Sequence, residues 1–93
     1  MIEITAKIKH EYGLHMRPAM LITDAAAKFN CDIRFYKDDK EADGKSIVEV
    51  SMLAAAKGEE ITIRAEGEDE QNAVNVLKEL VESNFENLLE VEK

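Results

Sequence analysis

The sequence is short of cysteine, proline and basic residues, and each shortage closes a class of explanation. The single cysteine, Cys31, has no partner for an internal disulfide, which fits a reducing compartment and not a disulfide-stapled secreted domain. It falls in step with Ile33 and Phe35, so its expected role is that of a small apolar residue in a strand. Twelve Lys and Arg against 20 Asp and Glu give a net charge of −8, which disfavours a nucleic-acid or anionic-membrane partner. There is no apolar run long enough to span a bilayer and no charged-then-apolar leader, so the expectation is a cytoplasmic protein without membrane insertion. One proline and a 45% hydrophobic fraction describe a folded globule. No cluster of His, Cys and carboxylates has metal-ligand spacing, and no acid–base carboxylate pair stands out, so no cofactor or metal is expected. Repeats and linkers are also missing.

What is present is enough for one small domain, residues 1–93, with a single core and no room for a separate catalytic domain. Ile2, Ile4, Ala6 and Ile8 alternate with polar residues over Met1 to Lys9, a half-buried strand. From Met16 to about Phe29 the spacing becomes helical, with Ala19, Ile22, Ala26 and Phe29 on one face. Cys31 to Lys37 alternates as a second strand, and Asp38-Asp39 turns into a short third strand over Lys40 to Asp43. Ser46 N-caps a helix reaching about Ala55, with Glu49 completing a capping box. Glu60 to Glu66 is a fourth strand with Ile61, Ile63 and Ala65 inward. Asp69 caps a last helix, about Glu70 to Asn84, whose Ala73, Val74, Leu77, Leu80 and Val81 form a core stripe. The order βαββαβα, with strands buried on one face only, gives an α+β open-faced two-layer sandwich. Its antiparallel sheet is covered on one face by three helices.

Chemistry concentrates at Gly13-Leu14-His15-Met16-Arg17-Pro18-Ala19. The first turn of a helix has N–H donors without intrahelical acceptors, and with the positive end of the helix dipole they attract anions. Gly13 allows a tight approach to the helix, Leu14 anchors the segment, and His15 sits at the N-cap position. Pro18 suits a first turn, where a missing N–H costs little. Arg17 brings a guanidinium matched to phosphate oxygens. The dipole disfavours a protonated imidazole, leaving His15 neutral and nucleophilic, and then favours the negative charge of a phosphoryl group placed on it. The inferred chemistry is reversible phosphoryl transfer through phosphohistidine, with His15 as acceptor, Arg17 as stabiliser and the N–H groups of Met16 and Arg17 as donors. The plain alternative makes His15 a polar cap and Arg17 a solvated side chain. His10, the other histidine, lacks a helix start and is expected to be an exposed loop or strand-end residue.

Two stretches settle between these alternatives. Gly13 to Ala19 resembles the active-site segment of the HPr family, the histidine-containing phosphocarriers of the bacterial phosphoenolpyruvate-dependent sugar phosphotransferase system. Gly44-Lys45-Ser46-Ile47 resembles the same family's regulatory serine site at the matching distance. It is not a phosphate-binding P-loop, because position 39, where that motif needs glycine, is Asp. The resemblance covers roughly residues 1 to 84 and implies strand order 1-4-2-3. It further implies a monomeric carrier, not an enzyme acting alone, that receives a phosphoryl group from Enzyme I and gives it to the A component of a sugar-specific Enzyme II. In some bacteria a kinase phosphorylates the serine matching Ser46, and the product binds a transcription regulator. Met16, Met20, Ile47 and Val48 are the expected partner surface, with core packing as their alternative role. The chain departs from the family at Met16, often alanine, at Glu49, often glycine, and in its extension over 85–93. A nitrogen-branch phosphocarrier, a purely regulatory protein acting through Ser46, and a small-molecule anion pocket are the competing functions.

Overall fold

The computed structural model describes residues 1–9, 13 and 16–83. His10, Leu14, His15 and the 85–93 extension lie outside the described residues. In chain order the elements are β1 (Ile2–Lys7), α1 (Met16–Ala26), β2 (Cys31–Lys37), β3 (Lys40–Asp43), α2 (Ile47–Met52), β4 (Glu60–Gly67) and α3 (Glu70–Glu82). The four strands form one antiparallel sheet in the order β1-β4-β2-β3, as the resemblance implied.

The register explains how little apolar character an edge strand needs. Ile4 pairs with Ile63, Ile63 with Phe35, and Phe35 with Ala42, so one row crosses the whole sheet on the helix-covered side. Ala42 is the single inward residue β3 must supply, and it is fully buried. One residue along, Glu3, Arg64, Arg34 and Asp43 make a charged row on the other side. Ala19, Ile22 and Ala26 of α1, Val50 of α2, and Ala73, Val74, Leu77 and Val81 of α3 close the core over the sheet. The buried Thr23 hydroxyl donates to the Met20 carbonyl at 3.2 Å, and among the described residues no buried side-chain polar atom lacks a partner.

Several boundaries and caps differ from the expectations. β1 ends at Lys7, because Ile8 pairs with a turn: its N–H donates to the Glu59 carbonyl at 2.8 Å and its carbonyl accepts from Gly58 at 2.8 Å. α1 ends at Ala26, where the Lys28 and Phe29 N–H groups tighten onto the carbonyls three residues back. α2 stops at Met52 instead of Ala55, since Ala54 takes a left-handed φ of 53° that no helix continues through. Ser46 does cap α2, accepting from the Glu49 N–H at 3.3 Å, but the Glu49 carboxylate reaches the Asp43 N–H at 2.9 Å, so the reciprocal half of the box is not made. Asp69 makes no side-chain cap to α3, which runs to Glu82; its carboxylate accepts from the Asn30 N–H at 2.8 Å.

Candidate functional site

Two parts of the fold meet around the segment that precedes α1. Gly13 is buried with φ 72°, a conformation costly for any residue with a side chain. A Cβ placed there would run into the Ala55 carbonyl oxygen and lie 3.0 Å from the Ala56 Cα. The glycine is therefore required by the turn that follows α2, and the expected close approach to a helix is corrected to an approach to that turn.

The 53–59 turn is itself tied down. Glu59 accepts from the Ala56 N–H at 2.7 Å and pairs with the Lys37 ammonium at 3.1 Å. Lys37 also donates to the carbonyls of Leu53 at 3.5 Å and Ala54 at 3.3 Å, placing a cation at the C-terminal end of α2. The hydrogen bond from the Ala56 N–H first, and that from the Lys37 ammonium second, hold the Glu59 carboxyl below its ordinary value.

On the helix side, Arg17 is exposed in the first turn of α1 and Pro18 is buried beneath it. The first-turn N–H groups of Met16 and Arg17 have no acceptors within α1, as in any helix. α1 packs beside α2. Of the expected partner surface, Met20 is 43% exposed and Val48 62%, while Ile47 is half-buried. The side chain of Met16 lies outside the described residues. Met52, at 69% exposure, is a large apolar residue that the sequence reading passed over. Its spacing of four from Val48 along α2 was the available signal. Ser46 is half-buried at the head of α2. Cys31 is half-buried against the core, and burial pushes its thiol up, in keeping with a packing role. Among the described residues, no group of three His, Cys, Asp or Glu could hold a metal ion, and no helix is long and apolar enough to cross a membrane.

Comparison with known proteins bears directly on this arrangement. The family model described as the PTS HPr component phosphorylation site matches residues 2–83. The phosphocarrier protein HPr of Pseudomonas aeruginosa is 40% identical over 86 residues, covering 91% of this chain and 93% of that protein. The phosphoryl donor subunit DhaM of the PEP-dependent dihydroxyacetone kinase of Providencia stuartii is 36% identical over 78 residues; the match takes in 84% of this chain but spans only 16% of that subunit. Among solved structures, HPr-C-His from Thermoanaerobacter tengcongensis superposes with a TM-score of 0.86 at 41% identity, covering 91% of this chain and 96% of that one.

Proposed function

The chain belongs to the HPr family of phosphocarriers, and from that premise we propose that His15 accepts a phosphoryl group from phosphorylated Enzyme I and passes it to the A component of a sugar-specific Enzyme II. The observation that supports this most strongly is a histidine directly before α1, with an exposed Arg17 in the helix's first turn, in a chain matched to the family from residue 2 to 83.

A lone pair on the neutral imidazole of His15 attacks phosphorus. The P–N bond forms as the bond to the donor breaks, and the donor leaves with the electron pair. The α1 dipole, the Arg17 guanidinium and the N–H groups of Met16 and Arg17 meet the three phosphoryl oxygens without reorganising, which favours transfer in either direction. As a carrier the protein turns over no small molecule by itself. Met20, Val48 and Ile47 supply apolar docking surface on α1 and α2, with Met16 as its fourth expected member, and a partner active site must close there to exclude water.

Ser46 is the proposed regulatory site. Its hydroxyl already serves the Glu49 N–H, and a phosphate there would add a dianion at the head of α2, beside the docking surface. It would be well placed to repel an acidic partner, and it supports a kinase and a transcription regulator as further partners. A carrier serving a different phosphoryl acceptor is the second reading, favoured by the match to a subunit named as the phosphoryl donor of dihydroxyacetone kinase.

Intact-mass spectrometry after incubation with phosphoenolpyruvate and Enzyme I tests the main reading. One acid-labile, base-stable phosphoryl adduct, absent from His15→Ala and discharged by a sugar-specific A component, is the expected result. Discharge only by another acceptor would select the second reading. No adduct with an active Enzyme I control would overturn both and leave regulation through Ser46.

A further inference from the structure

The stretch of chain that leads to His15 is held at two described points, Ile8 and Gly13, by one turn. On the upstream side Ile8 exchanges two backbone hydrogen bonds with it, to the Glu59 carbonyl and from the Gly58 N–H, both at 2.8 Å. Two residues before His15, Gly13 is buried against Ala55 and Ala56 with no space for a side chain. The position of residues 53–59 therefore fixes where the chain leaves β1 and where it arrives before α1.

That turn contains Ala54 at a left-handed φ, so it is not a conformation the backbone selects unaided. A single side chain from β2 gathers it. The Lys37 side chain is only 12% exposed, and its ammonium contacts the Leu53 and Ala54 carbonyls and the Glu59 carboxylate, while the same carboxylate binds the Ala56 N–H. An isolated exposed ion pair would contribute little. Here three backbone groups of one turn converge on one cation and one anion, so loss of either partner leaves polar groups of that turn unmatched.

We propose that Lys37 and Glu59 are positioning residues for phosphoryl transfer: by bracing the 53–59 turn they set the placement of the segment bearing His15 without touching the phosphoryl group. This rests on His15 being the acceptor. Misplacement of a reacting group by a fraction of an ångström is expressed mainly in the rate of the bound complex. The docking surface of Met20, Val48 and Met52 belongs to α1 and α2, so encounter with a partner is left intact.

The test measures single-turnover transfer from phosphorylated Enzyme I to wild type, Lys37→Met, Glu59→Ala and the conservative Lys37→Arg, with far-UV circular dichroism confirming that each is folded. The expected result is about a tenfold fall in the rate at saturating donor for Lys37→Met and Glu59→Ala, with half-saturation changed less than about twofold and most of the rate restored in Lys37→Arg. Wild-type rates in both folded variants, or no recovery in Lys37→Arg, would overturn the proposal. A second measurement is independent of the acceptor reading: NMR titration of the His15 ring, with Asp69→Ala at the far end of the sheet as control. Ring shifts in the Lys37 and Glu59 variants but not in Asp69→Ala support the brace even if wild type takes up no phosphoryl group. Unmoved ring resonances refute it.

Discussion

The two ends of the sheet are each closed around a glycine that has no room for a side chain, yet only one of these glycines precedes the proposed phosphoryl acceptor in the chain. At one end Gly13 lies on Ala55 and Ala56, and the turn beneath it is gathered by Lys37 and Glu59. At the other, Gly67 has a φ of 142°, and a Cβ there would stand 2.7 Å from the Cys31 Cβ. That end is clasped by Asn30, whose N–H and side-chain amide donate to Asp69 at 2.8 Å and Glu68 at 2.9 Å, and by Lys45 donating to the Phe29 carbonyl at 3.0 Å. A required glycine is thus a statement about backbone crowding. The proposed function follows from what the chain carries nearby, which two residues after Gly13 is His15.

The largest effects should come from filling those two spaces. Gly13→Ala and Gly67→Ala are each expected to lower stability by about 3 kcal/mol, from a disfavoured φ together with overpacking. Chemical denaturation reads this directly. Phosphoryl transfer per folded molecule should fall only for Gly13→Ala; an equal fall for Gly67→Ala would erase the contrast between the ends.

A middle-sized effect separates two helix starts that look alike in sequence. Ser46→Ala removes a made cap and should cost about 1 kcal/mol by urea denaturation. Asp69→Ala removes no cap, and its expected signature is faster amide exchange at Asn30 with the first turn of α3 unchanged.

The smallest effect is the one the two ends share. Glu59 is held below the ordinary carboxylate value of 4.5 by the Ala56 N–H and then Lys37, and Glu70 by the Gly67 N–H and then the N-terminal amine. A lowered folded value means the unfolded chain binds the proton more tightly. The contribution is therefore present above the ordinary value and drains away as pH falls through the lower folded one. Urea midpoints followed from about pH 6 to about pH 3 should decline less steeply in Glu59→Gln and in Glu70→Gln than in wild type. Both groups are largely solvated, which keeps the difference small.

The fold was legible because its strands and helices carry their own periodicities. The row Ile4, Ile63, Phe35, Ala42 needs only alternate residues to be apolar, and each strand supplied them, even β3 with its single alanine. Strand order came with the family resemblance, since alternation does not say which strand lies beside which. Helix ends were misread where a distant residue decides them. The alanines at 54–56 favour helix locally, but Ala54 is left-handed and Lys37, from another strand, takes the carbonyls. Asp69 was assigned to its own helix and serves Asn30 instead, a partner 39 residues away. At the proposed site, Arg17 and the expected docking residues are proposals that sequence alone could raise, whereas the Lys37–Glu59 brace could not be raised that way, because nothing local connects position 37 to position 59.

The sheet order has a consequence for how the chain is made. β1 is synthesised before β4, its one strand partner among the described residues, so Lys7 meets Glu60 only after roughly fifty more residues exist. At ~5–20 residues per second that is a delay of several seconds. Through it Ile2, Ile4, Ala6 and Ile8 form an apolar row with no strand beside it. Glu3, Lys7 and Lys9, interleaved with that row, are the charges that would keep neighbouring nascent chains from pairing with it in the meantime.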